Sequence, residues 1–335
     1  MKAGVKQVLQ FILFFGLGIG LMWWQFSGFT AEQKNQFFYA LKNANYFWLV
    51  VAILIGALSH LSRAIRWQQL LFPLGRKVGL GNRYYAVMIG YLANYGLPRS
   101  GEVIRSGLLL ESDDVPFSEA FGTVVVERII DTLCLGTIFL LVLLLEFSQL
   151  EILWSQYIWH PAIKKLTALA TNKTALLILI GSLFFLFLLL FVFRKKIKTF
   201  FSGKLGKFLN GFKNGILTVK KVPRPGWFIF HTLFIWTCYL LSLYVCFFCF
   251  PETSGLSLNT ALILLLFGTF GVIFTPGGIG AYQIIVTTLL IRMYASTTPV
   301  AAPFSWLSWG AQVATVILFC GISLALKSFL NRHTK

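Results

Sequence analysis

Glu127, Arg128 and Asp131 stand in a stretch that is otherwise apolar, "VVVERIIDTL" (Val124–Leu133). Glu127 and Asp131 are four residues apart, so on a helix they share one face. Upstream, "NYGLPRSGEVIRSGLL" (Asn94–Leu109) places Arg99, Glu102 and Arg105 beside the helix breakers Pro98 and Gly101. A third stretch, "TPGGIGAYQ" (Thr275–Gln283), has no charge but interrupts the chain at Pro276, Gly277, Gly278 and Gly280. Ionisable groups in apolar surroundings pair with one another or line a polar cavity. Arg99 and Arg105 are the partners expected for Glu127 and Asp131. A network of Arg99, Glu102, Arg105, Glu127, Arg128 and Asp131 would hold the interrupted segment and leave an arginine for an anionic headgroup. Asn94 and Gln283 are polar neighbours of the two breaks. The plainer account is internal neutralisation at a membrane interface, which suits Glu111, Asp113, Asp114 and Glu119; these are set aside. Arg63 and Arg66 follow an apolar span and read first as snorkelling anchors, with headgroup binding as their second role.

The elements that must position these groups belong to a membrane protein. Of 335 residues, 57% are hydrophobic and 12% charged, and the mean hydropathy is +0.76. A soluble domain of this size is less apolar. Apolar stretches at Gln7–Phe26, Thr174–Phe193, Trp227–Phe250 and Phe304–Leu326 approach or exceed the roughly 20 residues that cross a bilayer. The first is too long for a signal peptide and reads as a retained helix. The formal charge of +18 does not imply nucleic acid, because Lys and Arg cluster just beyond the apolar spans, where anionic lipid headgroups lie. Residues 194–224 hold ten basic side chains and no acidic one. Five cysteines lie in apolar spans, and Cys246-x-x-Cys249 lacks the second pair a metal site needs. Four scattered histidines suggest no metal centre, and no cofactor is expected.

Basic stretches place the N-terminus, 63–83, 194–224 and the tail from Lys327 on the cytoplasmic side. Gly28–Asn45, with Phe37, Phe38 and Leu41 on one face of a surface helix, lies outside. A second span covers about Tyr46–Ser62 and continues into Arg63, Arg66 and Trp67, and Phe117–Phe147 makes one long tilted helix. Tyr84–Leu110 then has to enter and leave on one side, and Asn259–Ile291 on the other. Each is an apolar helix broken after a similar length and then resumed. Paired broken segments in two halves point to the substrate site of a transporter built from inverted repeats. Broken backbone persists in a membrane only where protein or a wet cavity satisfies it. Half-helix N-termini then offer partial positive charge to a phosphate or carboxylate.

"SRAIRWQQLL" (Ser62–Leu71) and the three stretches above resemble, in order, the membrane region of bacterial lysylphosphatidylglycerol synthases. The resemblance covers nearly the whole chain. It implies a region that flips aminoacylated phospholipid in the full-length synthases, and roles in lipid or polyprenyl-lipid transport where the region stands alone. Nine residues follow Leu326, so no aminoacyl-transferase domain is expected and neither is lipid aminoacylation. By matching motif, the resemblance carries over Arg66, Asn94, Pro98, Gly101, Glu102, Arg105, Glu127, Arg128, Asp131, Pro276, Gly277, Gly278 and Gly280.

The reading is an all-α polytopic integral membrane protein of about six to eight transmembrane helices. Two opposed re-entrant or broken hairpins, at about 84–110 and 259–291, sit in one transmembrane domain over 1–335 with no separate soluble domain. The expected site is Asn94, Pro98, Arg99, Gly101, Glu102, Arg105, Glu127, Arg128, Asp131, Pro276, Gly277, Gly278, Gly280 and Gln283, with Arg63 and Arg66 beside it. The expected function is translocation of an anionic phospholipid or polyprenyl-phosphate-type lipid between leaflets, passive or ion-coupled, since no "GxxxxGK[ST]" loop is present. The alternatives are a membrane-embedded transferase on a lipid-linked substrate and a structural partner of a lipid synthase. The expected partners are membrane lipids, with no nucleic acid; a second copy of the chain and a lipid synthase stay open. The expected location is a bacterial cytoplasmic (inner) membrane, with both termini cytoplasmic.

Overall fold

The computed structural model describes residues 16–97, 99–147, 221–294 and 299–333, with positions 151, 155, 159, 160 and 163. Pro98, the start of the first predicted span, the span Thr174–Phe193 and nearly all of the basic segment 194–224 lie outside them. The chain divides into two compact units, residues 1–142 with 219–335, and residues 143–218. The elements below belong to the first, apart from the end of one helix.

Helix α1 covers residues 16–27, and α2 is Ala31–Asn43. A reciprocal cap starts α2: Thr30 Oγ1 accepts from the Gln33 amide at 3.2 Å, and the Thr30 amide donates to Gln33 Oε1 at 2.9 Å. Phe37 is buried against Phe26 and Trp306, whereas Phe38 is exposed. The two do not share an inward face, because adjacent helical positions diverge.

Helix α3, Tyr46–Leu71, is capped by Asn45. It continues past Ser62 through Arg63, Arg66 and Trp67, as expected from sequence, and ends at Leu71. Helices α4 (Leu80–Gly96), α5 (Ser100–Asp113) and α6 (Phe117–Leu145) follow. Helix α7, Pro225–Val245, opens on the proline that a first helical turn tolerates. Then come α8 (Leu258–Phe274), α9 (Ala281–Met293) and α10 (Ala301–His333). Among the described residues, four stretches are long and apolar enough to cross a membrane: Tyr46–Leu74, Phe117–Leu145, Pro225–Cys249 and Ala301–Lys327. Their outward residues, such as Leu54 and Leu58 on α3 and Leu140 and Leu144 on α6, are exposed and apolar. Polar side chains of α3, including Ser59, Ser62, Arg63 and Arg66, are buried instead. That inside-out distribution suits a chain whose surroundings are lipid. The protein is a polytopic all-α membrane protein.

The helices repeat one order: a long span, two short helices, a long span. The first set is α3, α4, α5 and α6; the second is α7, α8, α9 and α10. Helices α4 and α8 both have 17 residues, about 25 Å of helix and short of a hydrocarbon core of about 30 Å. Each pair of short helices is a hairpin. Asn82 near the start of α4 donates to Asp113 at the end of α5 at 3.0 Å. Thr260 on α8 meets the Tyr294 hydroxyl, just past α9, at 2.6 Å.

The hairpins leave opposite ends of one helix pair. Ser242 on α7 donates to the Ala52 carbonyl at 2.9 Å, and Ser62 meets His231 at 2.7 Å. Rising numbers on α3 therefore face falling numbers on α7, and the two helices are antiparallel. The α4–α5 hairpin follows the C-terminal end of α3. The α8–α9 hairpin follows the C-terminal end of α7, where the Cys249 carbonyl accepts from the Asn45 amide at 2.9 Å. The tips meet: the Tyr95 ring lies so close to Gly277 that a Cβ there would overlap it. The two opposed broken hairpins expected from sequence are present.

Candidate functional site

Helical spacing puts Ser59, Ser62, Arg63 and Arg66 on one side of α3, three or four residues apart. Arg63 and Arg66 are 1% and 0% exposed. Across from them α6 presents Glu127 and Asp131, the latter the fifteenth of its 29 residues. Arg63 Nη1 donates to Glu127 Oε1 at 2.6 Å and to Asp131 Oδ2 at 2.7 Å. Arg66 Nη2 donates to Asp131 Oδ1 at 3.2 Å, and its Nη1 to Thr232 Oγ1 of α7 at 3.0 Å. From α5, Arg105 grips Glu127 with both terminal nitrogens, each at 3.1 Å. Its guanidinium carbon lies 4.0 Å from the centre of the Trp67 ring, and Trp67 is itself tied to Thr123 at 2.8 Å. Arg63 Nη2 also donates to the Tyr239 hydroxyl at 3.1 Å, which meets the Tyr91 hydroxyl at 3.4 Å.

At the edge of this cluster, Arg128 Nε lies 3.1 Å from Glu102 Oε1, and Arg128 Nη1 lies 3.7 Å from Asp131 Oδ2. The Arg128 side chain is 38% exposed, the most open of the four arginines here. Arg63, Arg66, Arg105 and Arg128 face Glu102, Glu127 and Asp131, so one positive charge is in excess. The Nε–H groups of Arg63, Arg66, Arg105 and Arg128 are buried and donate to no hydrogen-bond partner among the described residues. Buried excess charge and unused donors are costly in low dielectric. An anion is their natural complement.

The breaks are held by amides. Asn94 Oδ1 accepts from the Gly101 amide at 2.9 Å, and Gln283 Oε1 accepts from the Gly280 amide at 2.8 Å. Both side chains thus satisfy backbone that the interruption frees. Gly101 packs so tightly on Gly90 of α4 that a side chain would collide with its carbonyl. The third residue past each first short helix is left-handed: Arg99 has φ 62° and ψ 14°, and Gly277 has φ 59° and ψ 15°. The Gly277 carbonyl accepts from Trp309 Nε1 at 2.8 Å. The second hairpin has neutral polar contacts where the first has charges. Gln25 Nε2 donates to Thr287 Oγ1 at 3.1 Å, and Thr287 meets Ser305 at 2.9 Å.

Of the residues singled out by sequence, Glu102, Arg105, Glu127, Arg128 and Asp131 come together as expected. Arg99 does not join them: it is exposed, at the tip, with no ion pair among the described residues. Arg63 and Arg66 are corrected from snorkelling anchors to the buried centre, because α3 turns them inward onto two carboxylates. Pro276, Gly278 and Gly280 are buried at the second tip, and Pro98 is outside the described residues. Trp67, Thr232, Tyr239 and Tyr95 were missed. Their types are ordinary in membrane helices, and only the arginine stripe beside them was a signal.

Long apolar helices around two opposed broken hairpins, with a buried ionic cluster where the first hairpin meets α3 and α6, define a multi-pass membrane protein with an internal polar site. The family model described as the lysylphosphatidylglycerol synthase TM region matches residues 7–321, and the chain belongs to that family. Membership ties the chain to a membrane lipid-related role. Over 95 residues it is 30% identical to the UPF0104 membrane protein MJ1595 of Methanocaldococcus jannaschii, a match covering 28% of each chain. No solved structure matches.

Proposed function

We propose that this protein moves an anionic phospholipid or polyprenyl-phosphate-type lipid between leaflets, passively or coupled to an ion. The observation that carries the proposal is the buried cluster of Arg63, Arg66 and Arg105 on Glu127 and Asp131, bordered by the exposed edge of Arg128. Burial of unequal charge beside a broken hairpin suits a headgroup that arrives with its own negative charge. Arg99 stands at the hairpin tip as a further cation for that headgroup. The opposed hairpins, meeting at Tyr95 and Gly277, supply two halves that can rock about one site. A metal-dependent transferase would need Glu127 and Asp131 for its cation, but arginines already engage both. The basic stretches support a cytoplasmic membrane location with cytoplasmic termini.

The test is lipid movement by purified protein in liposomes, using phosphatidylglycerol with a fluorescent acyl chain and a membrane-impermeant quencher. Wild type is expected to expose inner-leaflet lipid to the quencher much faster than empty liposomes do, and Arg105→Ala to lose that gain. Wild type moving every lipid tested at the empty-liposome rate would end the proposal.

A further inference from the structure

The three carboxylates of the cluster are held very unequally. Glu127 is gripped on both oxygens, Oε1 by Arg63 at 2.6 Å and Oε2 by Arg105 at 3.1 Å. Asp131 is also held on both, by Arg66 at 3.2 Å and Arg63 at 2.7 Å. Glu102 touches one arginine with one oxygen: Oε1 lies 3.1 Å from Arg128, while Oε2 is buried and has no hydrogen-bond partner among the described residues. Its partner is also the arginine most open to an incoming group.

Among the described residues, Arg128 is the one cation paired with Glu102. On α5 itself, Arg105 is turned to Glu127, and Arg99 is exposed at the tip. On α6, Asp131 and Glu127 stand behind Arg128. Helix α4, packed along α5, carries one charged residue, Arg83, whose guanidinium donates to the Val78, Ala64 and Ile65 carbonyls. Its Tyr91 and Asn94 are engaged with Tyr239 and Gly101, and its Tyr84 and Tyr95 are partly buried neutral phenols. If Arg128 leaves, Glu102 keeps a half-buried carboxylate whose buried Oε2 has no partner and which has lost its paired cation, an arrangement that favours the neutral acid.

We infer that headgroup binding and proton uptake are coupled at this site: an anionic phosphate-type group takes Arg128 from Glu102, and a solvent proton binds the released Glu102 carboxylate. This rests on the headgroup site proposed above. The balance is simple, since one O–H bond forms on Glu102 and one ion pair is exchanged for another. A singly charged lipid and its proton carry no net charge together. The coupling is reciprocal, so acid strengthens anion binding and the anion strengthens proton binding.

Proton uptake on binding tests the inference. Purified full-length protein in neutral detergent is titrated with phosphatidylglycerol in weakly buffered solution containing a pH indicator. A parallel arm uses inorganic sulfate, which brings the same anionic oxygens without acyl chains and without a titrating proton. Wild type is expected to take up about one proton per lipid, with affinity rising about tenfold per unit fall in pH across the coupled range. Uptake with sulfate as well as lipid assigns the coupling to the oxyanion; uptake with lipid alone assigns it to the intact headgroup and chains, and either supports it. Glu102→Gln is expected to remove both the uptake and the pH dependence. Arg128→Gln, at an open position, is expected to bind more weakly and also without proton uptake, and serves if Glu102→Gln does not fold. Lipid binding by wild type without uptake, or uptake that persists in these variants, overturns the coupling and leaves the headgroup site standing. Wild type that binds neither anion overturns both.

Discussion

Arg105 and Glu127 meet through two parallel hydrogen bonds of 3.1 Å, Nη1 to Oε1 and Nη2 to Oε2, with side chains only 3% and 0% exposed. The pair links the returning arm of the first hairpin to the middle of the long helix α6. A bidentate guanidinium–carboxylate contact fixes orientation as well as distance. The hairpin is therefore held where its charged edge, Glu102 and Arg128, stays beside the cluster.

Removing one partner of such a buried pair leaves the other charge uncompensated, which costs about 3–5 kcal/mol. Glu127→Gln is expected to exceed Arg105→Gln in cost, because Arg63, Arg66 and Arg105 all lie within 3.9 Å of Glu127. Thermal unfolding of the purified variants in detergent measures the order. Equal loss from both substitutions would mean that Glu127 is not shared among three arginines.

Much of this arrangement was legible in the sequence because it depends on local chemistry. Pro276 and the glycines at 277, 278 and 280 marked one break, and Pro98 with Gly101 marked the other. Each lay between apolar stretches too short to span. Glu127 and Asp131, four apart in an apolar helix, announced a polar face. Their partners were harder to assign. Arg63 and Arg66 follow an apolar run and precede a tryptophan, a pattern shared with residues that snorkel to an interface. Only packing against α6 decides that they point inward. The informative signal was Ser59, Ser62, Arg63 and Arg66 at helical spacing, a stripe too regular for a helix end. Arg99 failed in the opposite sense, because its type promised an ion pair while the fold leaves it exposed at the hairpin tip.

The left-handed backbone at Arg99 carries its own expectation. A side chain in the left-handed region costs about 1–2 kcal/mol relative to its ordinary conformation, a cost glycine escapes. The corresponding residue of the second hairpin, Gly277, is a glycine with nearly the same angles. Arg99→Gly is expected to raise stability by up to about 1 kcal/mol, since glycine's larger freedom in the unfolded chain offsets part of the relief. The same change is expected to slow lipid movement in the liposome assay, because it deletes the exposed cation at the tip. A variant that is both more stable and fully active would remove Arg99 from the functional residues.

The amide at Asn94 separates backbone support from substrate contact. Its oxygen accepts from the Gly101 amide at 2.9 Å, in the manner of a side-chain cap at a helix start. Losing such an acceptor costs about 1 kcal/mol. Asn94→Ala is expected to lower the unfolding temperature, and Asn94→Ser, which keeps a neutral acceptor, to restore part of it. Anion binding by Asn94→Ser, measured with sulfate, is expected to follow wild type within a few-fold. A large loss of binding in a variant of normal stability would show that the amide itself contacts the ligand.

Gly277 is constrained twice, by a φ of 59° and by the Tyr95 ring lying against it. The two demands can be separated by a double-mutant cycle. Gly277→Ala must pay the left-handed backbone cost of about 1 kcal/mol and also push Tyr95 aside. Tyr95→Ala clears that space, so Gly277→Ala is expected to cost less on the Tyr95→Ala background than on wild type. The backbone part of the cost should remain in both. Because the contact joins the tips of two opposed hairpins, Gly277→Ala is also expected to alter the rate of lipid movement, and Tyr95→Ala to alter it without the backbone penalty. Strict additivity of the two unfolding free energies would show that the tips do not press on each other in solution.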